Sequence, residues 1–181
     1  MKRQLIGISG KKNTGKDTVG DYLWQQHGYF TMAFADPLKD LACMLFGWDR
    51  MQLEQREYKE GFDPALGMTR RVALQRLGTE AVRGQFGEMF WVNTWARAYE
   101  QVRGEPVVVT DVREEHEAKA IRELGGLIVH LKRNCVDSGD THSTEAGIMV
   151  QSMDYVISNN GTLGQLYDDV DELIEFMEVR Q

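Results

Sequence analysis

A glycine-bounded loop near the start of the chain has the residue types and spacing of a phosphate-binding site. Residues 10–18 read GKKNTGKDT, after the apolar run LIGI and before a segment of helical character. Gly10 and Gly15 let the backbone turn so that successive N–H groups face one anion. The start of a helix adds partial positive charge at the same place. The pattern predicts phosphate binding, with Lys16 reaching the β- and γ-phosphates.

The loop departs from its common form at one position. The general pattern ends in Gly-Lys-Ser/Thr, whose hydroxyl binds magnesium, whereas here Asp17 takes that position and Thr18 follows. The strand before the loop and the helix after it favour a phosphate site over a simple glycine turn. The predicted nucleotide-binding residues are Gly10, Lys12, Asn13, Thr14, Gly15, Lys16, Asp17 and Thr18.

An acidic and a basic residue follow the most apolar strand of the chain. Residues 106–110, PVVVT, form a continuous run that predicts a parallel strand buried on both faces. Ligands of such sheets bind at the carboxyl ends of the strands. Asp111 could there hold magnesium or its waters, and Arg113 could clamp a phosphate bidentately. The alternative is that both are surface residues at the start of the next helix.

A second group of basic residues lies in a segment of helical pattern, residues 69–86. Arg70 and Arg71 begin it and Arg76 follows one or two turns later, so several guanidinium groups could face one phosphate. Exposed arginines are more often only solvated. Arg70, Arg71 and Arg76, together with Gln75, are candidate substrate-binding residues.

A long polar loop at residues 132–150 shows little periodicity. Loops of this length are usually functional lids or disordered, and Arg133 could close over the phosphates and exclude water. His142 with Glu145 could suggest acid–base chemistry, but transfer to a phosphate acceptor needs no strong base. Both are therefore predicted as substrate contacts or as residues that order the lid.

An aromatic stripe lies on the helical segment of residues 88–102. Trp91, Trp95 and Tyr99 recur at i, i+4 and i+8, which favours a core-facing side over a base-stacking surface. Trp91 is also kept as a candidate substrate-binding residue. The same side could form a homodimer interface, and core packing explains its spacing equally well.

Alternating strands and helices position these residues. The predicted strands are residues 5–8, 29–34, 106–110, 127–131 and 155–158. The predicted helices are residues 18–27, 38–46, 69–86 with a break at 77–79 where Thr79 could cap, 88–102, 115–124 and 163–178. Residues 48–67 read as a charged helical piece and a loop. This order predicts βαβ units and a five-stranded, doubly wound parallel α/β sheet.

Composition limits the classes of function. The 181 residues carry a net charge of −7, with a pI near 5.1, and this argues against general binding to nucleic acid polymers or membranes. Two distant cysteines show no zinc spacing and fit a reducing cytoplasm. No leader segment or membrane-spanning run is expected, so we predict a cytoplasmic protein.

Five sequence blocks resemble one family when they are taken together in this order. The blocks are GKDT at residues 15–18, LGTE at 77–80, FWV at 90–92, TDVREEHE at 110–117 and DTHSTEAG at 140–147. They look like the deoxynucleoside monophosphate kinases of tailed phages, and the resemblance spans nearly the whole chain. Gly-Lys-Asp-Thr is that family's own form of the loop, which accounts for Asp17.

The resemblance implies a three-layer P-loop NTPase fold with an insertion that binds the nucleoside monophosphate and with a lid loop. It implies one domain over residues 1–181: a core of 1–46 and 104–181, an acceptor-binding helical region of about 47–103, and a lid of about 132–150. The cofactor would be Mg²⁺ with ATP as donor, and the metal residues would be Asp17, Thr18 and Asp111.

The resemblance also implies roles for single residues. Lys16, Arg113 and Arg133 would be catalytic, with Arg113 also in the acceptor site. The expected activity is transfer of the γ-phosphoryl of ATP to a deoxynucleoside monophosphate, in the host cytoplasm if a phage encodes the protein. Two alternatives stay open: a kinase of another phosphorylated metabolite such as phosphomevalonate, and a nucleotide-binding module without catalysis.

Overall fold

The computed structural model describes residues 5–134 and 148–179. Its elements are, in chain order, β1 (Leu5–Ser9), α1 (Lys16–His27), β2 (Phe30–Thr31), α2 (Asp36–Phe46), a 3-10 turn (Gln52–Glu54), α3 (Arg56–Glu60), β3 (Phe62–Asp63), β4 (Met68–Thr69), α4 (Arg70–Gln75), a π-helical segment (Arg76–Arg83), α5 (Gly84–Phe86), α6 (Phe90–Gln101), β5 (Val107–Val112), α7 (Glu115–Glu123), β6 (Leu127–Lys132), β7 (Tyr155–Ser158) and α8 (Leu163–Val179).

These elements form two compact units. The first unit contains the described residues of Met1–Ala33 and Glu100–Gln181, and the second is Phe34–Tyr99. Helix α2 therefore lies in the second unit, whereas the sequence interpretation grouped residues 1–46 with the core. Within the described part of the chain, no helix is long and apolar enough to cross a membrane.

The first unit is built on a five-stranded parallel sheet. The strand order is β2-β5-β1-β6-β7, and every pairing is parallel. This confirms the five strands predicted from the apolar runs. Between Gly7 and Ser9 of β1 the partner register on β5 advances from Val109 to Val112, so β5 carries one extra residue there. Bulges of this kind re-aim side chains at strand ends.

Helices cover both faces of this sheet, as a doubly wound fold requires. On one face Ile6 and Ile8 pack in a buried cluster with Val19 and Leu23 of α1 and Leu173 of α8. The other face carries α7. A Cβ added at Gly7 would lie 2.5 Å from the Ile121 side chain, so a glycine in β1 permits the close approach of α7.

The second unit has its own small core and a dense set of ion pairs. Ala42, Trp48, Leu53 and Ala73 form the buried cluster. The indole Nε1 of Trp48 donates to the buried carboxylate of Asp63 at 2.7 Å. Because Asp63 lies in the β3–β4 hairpin, this bond fixes the hairpin to the core. The hairpin itself was not predicted, since residues 61–64 read as a loop.

The helical region after the hairpin differs from its prediction. Thr69 caps α4 by accepting the Val72 N–H at 3.3 Å. The predicted break at 77–79 is wrong, because the chain stays helical and changes to π-type hydrogen bonding over Arg76–Arg83. Thr79 lies inside this segment and therefore caps nothing. Gly78 packs closely there: a Cβ would meet the Leu38 side chain at 2.7 Å.

The aromatic stripe on α6 is buried within a single chain. Trp91, Trp95 and Tyr99 are 7%, 1% and 5% exposed. Trp95 and Tyr99 stack with ring centroids 5.5 Å apart. The stripe therefore fills the core, as the spacing favours.

Candidate active site

The loop between β1 and α1 has the backbone shape that its glycines predict. Asn13 and Gly15 have positive φ angles of 63° and 102°, which asparagine tolerates and glycine adopts freely. A Cβ added at Gly10 would lie 2.5 Å from the Leu131 carbonyl oxygen. Both glycines are thus required, Gly15 by its φ angle and Gly10 by the close approach of β6.

The buried Thr14 stabilises the turn through its side chain. Its hydroxyl donates to the Lys11 carbonyl at 2.8 Å, and its own side chain is almost fully buried. Lys12 and Asn13 lie at the exposed tip of the loop. The Thr14 N–H also donates to the Lys11 carbonyl, at 3.4 Å. A loop of this shape can present its other backbone N–H groups to an anion.

Lys16 folds back onto the loop that it follows. Its Nζ donates to the carbonyls of Gly10 and Lys11 at 2.7 and 2.8 Å. Burial lowers the pKa of Lys16, and the positive charge of Arg113 adds to this. The carboxylates of Asp17 and Asp111 act in the opposite direction on the pKa. Arg113, Asp17 and Asp111 thus lie within electrostatic range of Lys16.

Two carboxylates suited to a hard cation, those of Asp17 and Asp111, lie within electrostatic range of Lys16. Helix α1 approaches the end of β5 closely, since a Cβ at Gly20 would lie 2.5 Å from the Thr110 side chain. This contact joins α1, whose first turn carries Asp17 and Thr18, to β5, which carries Asp111. Among residues 5–134 and 148–179, no three His, Cys, Asp or Glu side chains could hold a metal by themselves. Mg²⁺ in kinases needs only one or two carboxylates, because phosphates and water complete its shell, so the donor set fits.

Arg113 has a fixed backbone and an exposed side chain. Its N–H donates to Oε2 of Glu117 at 2.7 Å, and the Glu114 N–H donates to the same oxygen at 3.0 Å. Glu114 and Glu117 form a capping box at the start of α7. The guanidinium of Arg113 therefore extends from a rigid turn at the ligand edge of the sheet.

Glu117 is a residue of this site that the sequence interpretation missed. It is 8% exposed. Burial raises its pKa to about 7, although the N–H groups of Arg113 and Glu114 favour the charged form. The spacing Glu-x-x-Glu before a helical pattern was the available signal, since glutamate at the third helical position is half of a capping box.

Asn159 is a second missed residue. It directly follows β7, is 8% exposed, and donates from Nδ2 to the Thr14 carbonyl at 2.8 Å. The sequence interpretation assigned it only to a turn. No local pattern could have indicated the contact, because 145 positions separate the two residues.

The lid candidates are only partly described. Arg133 directly follows β6, and its side chain is exposed. His142 and Glu145 lie outside the described residues, as does the whole block at 140–147. The roles of all three remain predictions.

Arg70 belongs to the framework of the second unit. Its guanidinium lies 3.9 Å from the ring centroid of Tyr58, and Nη1 donates to the carbonyls of Tyr58 and Gly61 at 3.3 and 3.4 Å. Nε of Arg70 is buried without a hydrogen-bond partner in the described chain. Most of this arginine's contacts therefore join α3 to α4.

The other candidates in the second unit differ in exposure. Arg71 is exposed and donates to Glu60 at 2.6 Å. Gln75 and Arg76 are exposed, and Arg76 lines an apolar groove of about 430 Å³ beside the π-helical segment. Trp91 is buried and donates from Nε1 to the Gly78 carbonyl at 3.0 Å. The structure brings Lys16, Asp17, Asp111 and Arg113 together, and the substrate roles of the second unit remain predictions.

Comparison with protein families gives a match over most of the chain. The family model described as deoxynucleotide monophosphate kinase matches residues 4–65 and 62–170. A protein of Acanthamoeba polyphaga mimivirus, to which the same name is given provisionally, is 32% identical over 182 residues, covering 92% of this chain and 93% of its own. The deoxynucleotide monophosphate kinase of Escherichia phage RB69 is 25% identical, covering 94% and 99%.

Solved structures support the same fold. A gluconokinase from Sinorhizobium meliloti 1021 superposes with a TM-score of 0.50 at 14% identity, covering 99% of this chain and 98% of its own. A sugar kinase from Janibacter sp. HTCC2649 gives 0.51 at 11% identity, covering 97% and 95%. Because the identities are so low, these likenesses establish only the fold, a parallel sheet flanked by helices.

Proposed function

The chain belongs to the deoxynucleotide monophosphate kinase family, and from this premise we propose that it transfers the γ-phosphoryl of ATP to a deoxynucleoside 5′-monophosphate. The products are the deoxynucleoside diphosphate and ADP. The observation that carries the assignment is that Lys16 donates to two carbonyls of the glycine-bounded loop. Arg113, Asp17 and Asp111 lie within electrostatic range of this lysine. The family match favours this reaction over the phosphomevalonate-type and non-catalytic alternatives.

The donor phosphates are bound by the loop and by Lys16. Backbone N–H groups of the loop, other than that of Thr14, which donates to the Lys11 carbonyl at 3.4 Å, face the phosphate oxygens. The N-terminus of α1 adds positive charge. Lys16 exchanges its two carbonyl acceptors, at 2.7 and 2.8 Å, for oxygens of the β- and γ-phosphates. Both partners of Lys16 are neutral, so the exchange for an anion is electrostatically favourable.

The metal is proposed to be Mg²⁺, held by Asp111 and Thr18 with Asp17 beside them. A divalent cation held there would supply positive charge next to the phosphate oxygens. The protein contributes the orientation of these oxygens. Thr18 and Asp17 are fixed in the first turn of α1, and Asp111 by the extra residue in β5.

Each unit, taken by itself, carries residues that we propose for acceptor binding. Arg113 binds the acceptor phosphate at the strand edge, and Arg71, Gln75 and Arg76 supply exposed polar groups in the second unit. Arg70 and Trp91 act mainly by fixing the helices that carry these groups, because their polar atoms bind backbone carbonyls. His142 and Glu145 are retained as substrate contacts from the sequence.

The chain's catalytic contribution is positioning and charge neutralisation. The attacking oxygen of a nucleoside monophosphate is already anionic, so no strong general base is needed. Lys16 and Arg113 neutralise charge on the transferring group, and Arg133 closes over it and excludes water. We place the reaction in the cytoplasm, where ATP and deoxynucleotides are found, and leave a homodimer as a prediction.

A coupled assay of ADP release tests the proposal. The purified protein is given ATP and magnesium with each of the four common deoxynucleoside monophosphates, and with AMP, GMP and phosphomevalonate as comparison acceptors. We expect turnover with at least one deoxynucleotide and none without magnesium. ATP binding without turnover on any acceptor, or turnover on phosphomevalonate alone, would contradict the assignment.

A further inference from the structure

Asn159 connects the last strand of the sheet to the phosphate-binding loop. Its own backbone is fixed, because its N–H donates to the Lys132 carbonyl at 2.8 Å, which continues the pairing of β6 with β7. Its side-chain amide donates to the Thr14 carbonyl at 2.8 Å, and both residues are buried. A rigid donor therefore holds one carbonyl oxygen of the loop.

The oxygen that Asn159 holds belongs to the peptide that ends in the N–H of Gly15. In a planar trans peptide the carbonyl oxygen and the N–H point in opposite directions. A bond that draws the Thr14 oxygen towards the sheet thus directs the Gly15 N–H away from it. The positive φ of Gly15 is part of the same local geometry.

We propose that Asn159 is a positioning residue that orients the Thr14–Gly15 peptide so that the Gly15 N–H faces the donor phosphates. This inference rests on the proposed function, because it assigns the bound anion to the phosphates of ATP. It adds a residue that directly follows the last strand to a site otherwise built from the β1–α1 loop, α1 and β5. Asn159 acts through the peptide and does not touch the phosphates.

The packing around the amide makes this orientation specific. A Cβ at Gly15 would lie 2.7 Å from Nδ2 of Asn159, so the amide leaves no room for a side chain there. Replacing the amide with a carboxylate would place two oxygens against each other and favour rotation of the peptide. The neighbouring Asn160 is the natural control, because it is exposed and uses its Oδ1 to accept the Asn134 N–H at 2.8 Å.

The test therefore compares the same change at two adjacent positions. Asn159→Asp removes a donor, whereas Asn160→Asp keeps the acceptor and adds the same charge to the same loop. Binding of ADP is measured by calorimetry, alongside KM for ATP, KM for the acceptor and thermal unfolding. Asn159→Ala is a second variant, which removes the donor without adding charge.

We expect Asn159→Asp to weaken ADP binding and raise KM for ATP by about tenfold or more, since a lost hydrogen bond leaves a buried carbonyl unpaired. Asn159→Ala should weaken ADP binding in the same direction. KM for the acceptor, and ADP binding by Asn160→Asp, should stay within about twofold of wild type. Equal ADP affinity in the two Asp variants would overturn the proposal. So would a parallel rise of both KM values with a lower unfolding temperature, the sign of a merely structural role.

A measurement on the unaltered protein covers the case in which neither variant folds. The amide proton of Gly15 should shift downfield in the NMR spectrum when ADP binds, because it gains a charged acceptor. An unchanged Gly15 resonance in the ADP complex would overturn the proposal. This measurement detects ADP binding and needs no turnover. An absence of turnover on every deoxynucleotide would therefore contradict the proposed function without contradicting the role of Asn159.

Discussion

Two regions of the molecule are rich in basic side chains, and they use them differently. At the loop edge of the first unit, Lys16 donates to carbonyls and Arg113 is exposed, and neither has an ion pair within the described residues. In the second unit, Arg50 pairs with Asp36 at 2.7 Å, with Asp40 at 2.8 Å and with Glu54.

The pKa values of buried or half-buried carboxylates shift in opposite directions in the two regions. Burial alone would raise the pKa of Glu54, but hydrogen bonds from Lys39 and Arg50 outweigh it and lower the pKa. Glu117 accepts only neutral N–H groups in the described structure, and burial raises its pKa to about 7. The first region keeps its positive charge for a ligand, whereas the second neutralises it with the protein's own carboxylates.

The largest expected effect comes from removing the loop lysine. Lys16→Ala should lower kcat by about a thousandfold or more, because a charge that stabilises the transferring phosphoryl group is lost. Thermal unfolding should barely change, since the hydrogen bonds of Lys16 within the described residues go to two loop carbonyls. Lys119→Ala, at an exposed position on α7, is the control. Near-normal turnover in Lys16→Ala would show that Lys16 does not act on the phosphates, and the contrast between the two regions would then fail.

Arg113→Ala separates a ligand-directed arginine from a structural one. We expect kcat to fall by about a hundredfold with the free energy of unfolding within about 0.5 kcal/mol of wild type. The backbone bonds to Glu117 survive the change, because they use the main-chain N–H. Arg97→Ala, an exposed arginine on α6, serves as control in kinetics and urea denaturation. A large loss of stability in Arg113→Ala would place it with the ion-paired arginines.

Glu117→Gln tests the buried carboxyl group that accepts two backbone N–H groups and has no ion pair within the described residues. The folded pKa of about 7 exceeds the ordinary 4.5, so stability from the protonated group is complete below pH 4.5 and is lost as pH rises through 7. Glutamine keeps an acceptor oxygen and has no charge. Relative to wild type, its free energy of unfolding should be about 2 kcal/mol higher at pH 8 than at pH 5.

Urea denaturation at the two pH values measures this difference. Glu123→Gln, at an exposed position of the same helix, is the matched control. A constant offset between Glu117→Gln and wild type from pH 5 to pH 8 would mean that Glu117 stays charged throughout this range, as Glu54 is expected to.

The smallest expected effect comes from removing Arg50, the arginine of the second unit that pairs with three carboxylates. Arg50→Ala leaves three carboxylates without their shared cation and should lower the free energy of unfolding by about 1–2 kcal/mol. Added salt should reduce the difference, because it screens the remaining repulsion. The kcat of the folded fraction should stay near wild type. A loss of kcat as large as in Arg113→Ala would show that the second unit also directs its charge at a ligand.

The sequence predicted those parts of the site that depend on local pattern. Gly10, Gly15 and Lys16 follow from spacing, and Asp111 and Arg113 follow from the end of a buried strand. The contact of Asn159 with Thr14 joins distant parts of the chain, and no periodicity encodes it. The π-helical segment and the β3–β4 hairpin were missed for another reason: helical spacing does not distinguish π from α hydrogen bonding, and two-residue strands show no alternation.

The strand order has a consequence for how the chain is made. β1 is central and pairs with β5 and β6, so Leu5–Ser9 stays without a partner until Val107–Val112 has left the ribosome. The second unit is one continuous segment, and it can complete its core during that interval. Long-range parallel pairing is slow and exposes apolar strands. The interval when the nascent chain is most prone to aggregate is therefore set by the length of the segment between α1 and β5.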